Sequence, residues 1–165
     1  MFELKPLSAD AIPEALERVE RYRLLNEPRC AESICRDVLC IDPNNKQALI
    51  QLILSLTDQF GESLKPFAEA AETAARLDNE YPRAYYSGIV RERRAHAHLH
   101  RATPGSGSIV YDMLLEAMEY YDEAEKLQPV GNDDAILRWN TCARVIMDHD
   151  NIKPAEDIAT PIQLE

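Results

Sequence analysis

The sequence predicts an all-α protein, and three observations carry that expectation. Apolar residues recur at three- and four-residue steps, as in Leu16, Val19 and Tyr22 or Met113, Leu114, Ala117, Tyr121 and Ala124, which is the period of one helical face. No run joins β-branched residues to strict alternation, so no sheet is expected. Prolines at 13, 28, 43, 66, 82, 104 and 129 cut the chain into segments of one helix each, because an interior proline removes a hydrogen bond and clashes with the preceding turn.

Seven helices follow in order: 12–26, 29–41, 45–59, 64–79, 83–101, 109–127 and 132–148. Pro13 and Pro28 open the first two. Asp42 and Asn45 flank Pro43 ahead of the third, where an N-cap side chain is needed. The connection DQFGESLKP (58–66) separates the third from the fourth, and Pro82 separates the fourth from the fifth. RATPGSGS (101–108) leads into the sixth, whose EAMEYYDEAEKL is filled with strong helix formers. Asn132 and Asp133 precede the seventh. Residues 1–11 read as an N-terminal extension, 12–148 as a single domain and 149–165 as a tail lying over the last helix or disordered.

Composition narrows the function classes. The chain has 165 residues, 45% of them hydrophobic, and a formal charge of −11. A surface of that sign repels polyphosphate, so nucleic-acid and anionic-membrane binding are not expected. No basic stretch followed by an apolar core stands at the start, and the longest apolar run, Ala48 to Leu56, is interrupted by Gln51; a cytoplasmic protein is expected. Cys30, Cys35 and Cys40 are five apart, about 140° on a helix, and Cys142 stands alone, so the four read as reduced, buried small hydrophobes.

Three of the helices share one spacing. Ala31, Cys35 and Val38 precede Pro43; Ala70, Ala74 and Leu77 precede Pro82; Ala117, Tyr121 and Ala124 precede Pro129. A helix with this pattern approaches its neighbour closely at the small residue, fills space a turn later, then stops. The pattern resembles the second helix of the tetratricopeptide repeat (TPR) family, a helix-turn-helix unit of about 34 residues. Tyr22, nine residues before Ala31, fits the first helix as well. The family's tryptophan, leucine and glycine signature is missing from 45–59 and 83–101, and the closing prolines are 39 (43 to 82) and 47 (82 to 129) residues apart. The resemblance implies a TPR-like α-α superhelix of three units, 12–45, 46–84 and 85–131, capped by helix 132–148. Trp139 is then expected to pack on the third unit, with Arg138, Arg144 and Asp148 facing water.

A search for catalytic chemistry is negative, and no enzyme is expected. GSGS at 105–108 lacks the Lys-Ser/Thr and preceding strand of a phosphate loop, and neither a nucleophile elbow nor an HExxH pair is present. Glu92, His96 and His100 are spaced four and four, so a metal- or ligand-binding helical protein using them is one alternative; otherwise no cofactor is expected. Residues 83–101 carry five arginines against one glutamate in an acidic chain, which points to a surface for something acidic.

What the resemblance implies is a concave groove, lined by the first helices, that holds a partner's peptide or helix. Aligning the helices by their closing prolines places Leu16, Ile50, Ile89 and Ile136 at one level, as either core or groove stripe. One turn on come Glu20, Leu54, Arg93 and Asn140, then Arg23, Thr57, His96 and Ala143 with Arg144 beside it. Tyr86 is added as a groove residue, though the tyrosines 81, 85, 86, 120 and 121 suit either core or interface. Such a groove suits a protein or peptide with hydrophobic anchors and an acidic or C-terminal carboxylate group. The family's carboxylate-clamping Lys and Asn are here Glu20, Gln47 and Leu54, so chaperone-tail clamping is not implied. The expected function is therefore a non-catalytic interaction module or adaptor. The alternative within the same class is a small secretion-type chaperone for an apolar client segment; self-association remains open.

Overall fold

The computed structural model describes residues 1–101 and 103–155. After a 3-10 turn at Ala9–Ala11, the elements are α1 (Ile12–Leu24), α2 (Pro28–Ile41), α3 (Lys46–Thr57), α4 (Phe67–Ala75), α5 (Glu80–Arg101), α6 (Gly107–Leu127) and α7 (Asp134–Asp148). Among the described residues there is no strand. No helix is long and apolar enough to cross a membrane.

Local chemistry explains most boundaries. Pro13 and Pro28 sit in the first turns of α1 and α2, where a missing N–H costs nothing. The Asn45 side chain accepts a hydrogen bond from the Ala48 N–H at 2.9 Å, capping α3 as expected. Pro82 behaves differently from the expectation. It does not stand between helices but within the first turn of α5, which starts two residues earlier at Glu80; the first turn tolerates proline.

Each helix packs on the next in sequence, and α1 also packs on α3 and α3 on α5. Even-numbered helices are thus each flanked by two odd ones, while α3 neighbours both α1 and α5. The recurring spacing makes this possible. Ala31, Cys35, Val38, Ala70, Ala74, Leu77, Ala117, Tyr121 and Ala124 are all at most 1% exposed, so the small side chains lie where backbones approach closely. Two main apolar clusters result. One gathers Val19, Ala31, Leu52, Ile53, Phe60, Ala74 and Val90, and the other Ile89, Leu114, Ala117, Tyr121, Cys142 and Ile152. Tyr86 packs against both.

At the C-terminal end, Trp139 packs on the second cluster, and Arg144 and Asp148 are exposed, as expected. Arg138 is not free in solvent: its Nη1 donates to Glu92 at 3.1 Å. The tail begins by covering the domain. Ile152 is buried in the second cluster, and the Asn151 carbonyl passes so close to Gly107 that no Cβ fits there. The tail beyond 155 lies outside the described residues. Of the cysteines, Cys35 and Cys142 are buried as expected, whereas Cys30 and Cys40 are exposed, since positions 140° apart cannot all face one neighbour. Burial pushes both buried thiols up to about 12, which keeps them protonated and unreactive.

Candidate functional site

The C-terminal ends of α1 and α3 meet the middle of α5. Arg23 lies in the last turn of α1, Asp58 follows the last residue of α3, and Arg93 lies midway along α5. Asp58 accepts from Arg23 Nε at 2.7 Å through one oxygen and from Arg93 Nη1 through the other. Arg23 Nη1 also donates to Gln51 at 3.3 Å, and Gln51 Nε2 donates to Glu20 at 3.2 Å. The chain Glu20–Gln51–Arg23–Asp58–Arg93 therefore ties α1, α3 and α5 through partly buried side chains. A planar guanidinium on a carboxylate fixes orientation as well as charge. Replacing Asp58 by alanine leaves two guanidinium groups without their shared acceptor. A loss of about 1 kcal/mol is expected, modest because these side chains retain some solvent, and urea unfolding measures it.

Above this network lies an open hollow of about 610 Å³. Its walls include Leu24, Thr57, Phe60, Ala97 and His100, together with the network residues and His96. Leu24, one of its walls, is a large apolar side chain that is 89% exposed. The hollow is thus apolar at one edge, floored by a rigid polar network, and lined by two imidazoles.

The expected groove residues divide into four groups. Glu20, Arg23, Arg93 and His96 all line this hollow, and so does Thr57 from the level aligned with Arg23 and His96. Leu16 and Ile89, at 4% and 2% exposure, are corrected to core: Leu16 packs with Ala15, Val38 and Ala48, and Ile89 with the second cluster. A side chain enclosed by its neighbours has no surface left for a partner. Ile50, Leu54 and Tyr86 are half-buried against the clusters. Ile136, Asn140 and Arg144 sit on α7 and are not among the walls of the hollow.

The arginine-rich stretch needs a second correction. It is not a free basic patch, because each arginine of α5 is engaged within the chain. Arg83 donates to the Leu77 and Asp78 carbonyls, Arg91 pairs with Glu116 at 3.0 Å and Arg93 with Asp58. Arg94 lies over the Phe67 ring, and Arg101 donates to the Phe60 carbonyl at 3.1 Å. These side chains brace α5 against its neighbours on both sides.

Glu92, the first residue of the four-and-four spacing with His96 and His100, is already engaged inside the chain. It is 3% exposed. Its carboxylate accepts from the Tyr121 hydroxyl at 2.5 Å and from Arg138 at 3.1 Å, with His96 Nε2 3.7 Å away. Burial by itself would raise its pKa, yet the nearby His96, the hydrogen bond from Tyr121 and the Arg138 charge outweigh burial and hold it below the ordinary carboxylate value. The acceptor is thus consumed inside the core, while His100 faces the hollow on the helix exterior. Among the described residues no group of His, Cys, Asp and Glu is arranged to hold a metal ion.

Compared with family models, with curated proteins and with solved structures, the chain finds no match in any of the three.

Several residues of the site were invisible to motif reasoning. Asp58 and Phe60 lie in the connection 58–66, read only as a separator of two helices, although Asp58 directly follows Thr57. Gln51 looked like an interruption in an apolar run and proves to be the link between Arg23 and Glu20.

Proposed function

We propose that the chain is a non-catalytic, TPR-like interaction module of the cytoplasm that holds a segment of a partner protein in the hollow between α1, α3 and α5. The observation that carries this reading is that successive odd-numbered helices present side chains to one shared hollow over a braced polar floor. Preorganisation of this kind limits the entropy lost on association. The exposed Leu24 at the rim supplies an apolar anchor point, and the histidines and the N–H groups of Arg23 and Arg93 supply donors for a carboxylate or a backbone carbonyl. Convergent nucleophile, base and oxyanion groups do not contribute to this picture, which is why binding rather than turnover is proposed.

The test uses residues outside the stabilising network. The double variant Leu24→Asp with His100→Asp is expected to melt within about 2 °C of wild type, as exposed substitutions cost little. It should recover its partner from extract of the native host at least tenfold less well. Glu72→Lys with Glu119→Lys, on the exposed sides of α4 and α6, should recover it unchanged. Undiminished recovery with the hollow variant would refute the proposal.

A further inference from the structure

Two imidazoles face the hollow from one side of α5. His96 and His100 stand four residues apart and both line it, so their side chains lie one above the other, with Cβ atoms about 5–6 Å apart. Behind His96, its Nε2 is 3.7 Å from the Glu92 carboxylate, which Tyr121 and Arg138 hold in place. His100 has no hydrogen-bond partner among the described residues. His98, two residues on from His96 and so about 160° round the helix, is not among the walls and has Arg94 and Arg101 beside it.

The charges around the pair accommodate a cation. Among the walls, Arg23 and Arg93 are matched by Glu20 and Asp58. Both guanidinium groups are held on Asp58, and Glu20 accepts from the neutral Gln51 amide, so no net positive charge opposes a dication there. A chain of formal charge −11 draws cations toward it. Two histidines on successive turns of a helix are a spacing with which proteins grip zinc, and imidazole favours zinc, nickel or copper over magnesium and calcium, which demand oxygen. A carboxylate behind a ligating imidazole fixes the ring and raises its basicity, which is where Glu92 stands. Zinc takes four ligands, and among the described residues no third His, Cys, Asp or Glu joins the pair. The other positions therefore open onto the hollow.

We propose that His96 and His100 hold a divalent ion of the zinc class at the wall of the hollow, and that a His, Cys or carboxylate side chain of the partner segment completes its coordination. The partner's share rests on the hollow being the binding surface, as proposed above. The ion then fixes the polar end of the segment, and Leu24 receives its apolar end.

The experiment titrates the full chain, purified without affinity tag or chelator, with Zn²⁺ in a calorimeter; one site per chain is expected. Residues behind a metal ligand already account for about 10–100-fold in affinity, so His96→Ala and His100→Ala should each weaken zinc at least about tenfold, and His98→Ala should stay within about twofold of wild type. Far-UV circular dichroism checks that all three variants are folded. With Cu²⁺ in place of Zn²⁺, electron paramagnetic resonance should resolve two coupled nitrogens for the chain alone and a third once N-acetylhistidine, standing in for the partner's ligand, is added. Absence of a zinc site, an equal loss with His98→Ala, or a nitrogen count that N-acetylhistidine leaves unchanged would each overturn the proposal. If the Leu24→Asp/His100→Asp variant loses its partner while the wild-type chain binds no zinc, this inference alone fails. If partner recovery ignores that variant, the reading of the hollow fails, and the partner's share of the coordination with it.

Discussion

Glu92→Ala is expected to cost about 2–4 kcal/mol, the largest loss of any single change considered for this chain. The carboxylate is enclosed and serves three helices, taking bonds from Tyr121 on α6 and Arg138 on α7 while belonging to α5. Its removal strands a phenolic hydroxyl at 0% exposure and a guanidinium that keeps only partial access to water. That partial access is why the expected loss falls short of a fully buried pair's. A double-mutant cycle with Arg138→Ala, followed by urea unfolding, should return a coupling above 1 kcal/mol. The pH dependence has a definite sign. The folded-state pKa of Glu92 lies below its unfolded value, so its contribution is present above about pH 4.3 and is lost as pH falls through the folded value. The stability gap between wild type and Glu92→Gln should therefore narrow in acid. A gap that widens below pH 4 would contradict the assignment.

Gly88→Ala is the second, and here two effects of opposite sign compete. Alanine in a helix interior is favoured over glycine by about 1 kcal/mol. A Cβ at position 88, however, would meet Tyr121 Cε1 at 2.6 Å and Cδ1 at 2.8 Å. The ring cannot swing aside cheaply, because it is fully buried and its hydroxyl is held by Glu92. Overpacking of this kind costs about 1–3 kcal/mol, and the added loss of the hydroxyl bond brings the net expectation to about 2 kcal/mol of destabilisation. In a Tyr121→Leu background the ring is gone and the helix preference is left, so the same substitution should become neutral or stabilising. Melting curves of the four proteins decide it, and a stabilising Gly88→Ala in the wild-type background would show that the contact is misplaced.

The helices were legible because their signals are local. Proline spacing and the three-to-four-residue apolar period mark α1 to α7 within a few residues, and the alanine pattern at 31, 70 and 117 identified the close-packed positions. Pro82 misled because a first-turn proline and an inter-helix proline look alike in one dimension. Of the level aligned by the closing prolines, Arg23, Thr57 and His96 line the hollow, whereas Ala143 does not. Burial was not legible. Leu16 and Ile89 share the apolar period of a groove stripe, and only packing against Val38 or Leu114 distinguishes core from surface. The arginines of α5 looked available because their partners, Asp58, Phe67 and Glu116, are some 25 residues or more away in sequence. Gly88 was similarly opaque: its need for a bare backbone comes from Tyr121 on another helix.

The central claim is that the surface shared by α1, α3 and α5 is where a partner sits, and hydrogen exchange of the full chain with and without its recovered partner tests it most directly. Slowed exchange confined to the ends of α1 and α3, the turn through Gly61 and the second half of α5 is the predicted result. Protection on the outer sides of α2, α4 and α6, with those segments unchanged, would contradict it.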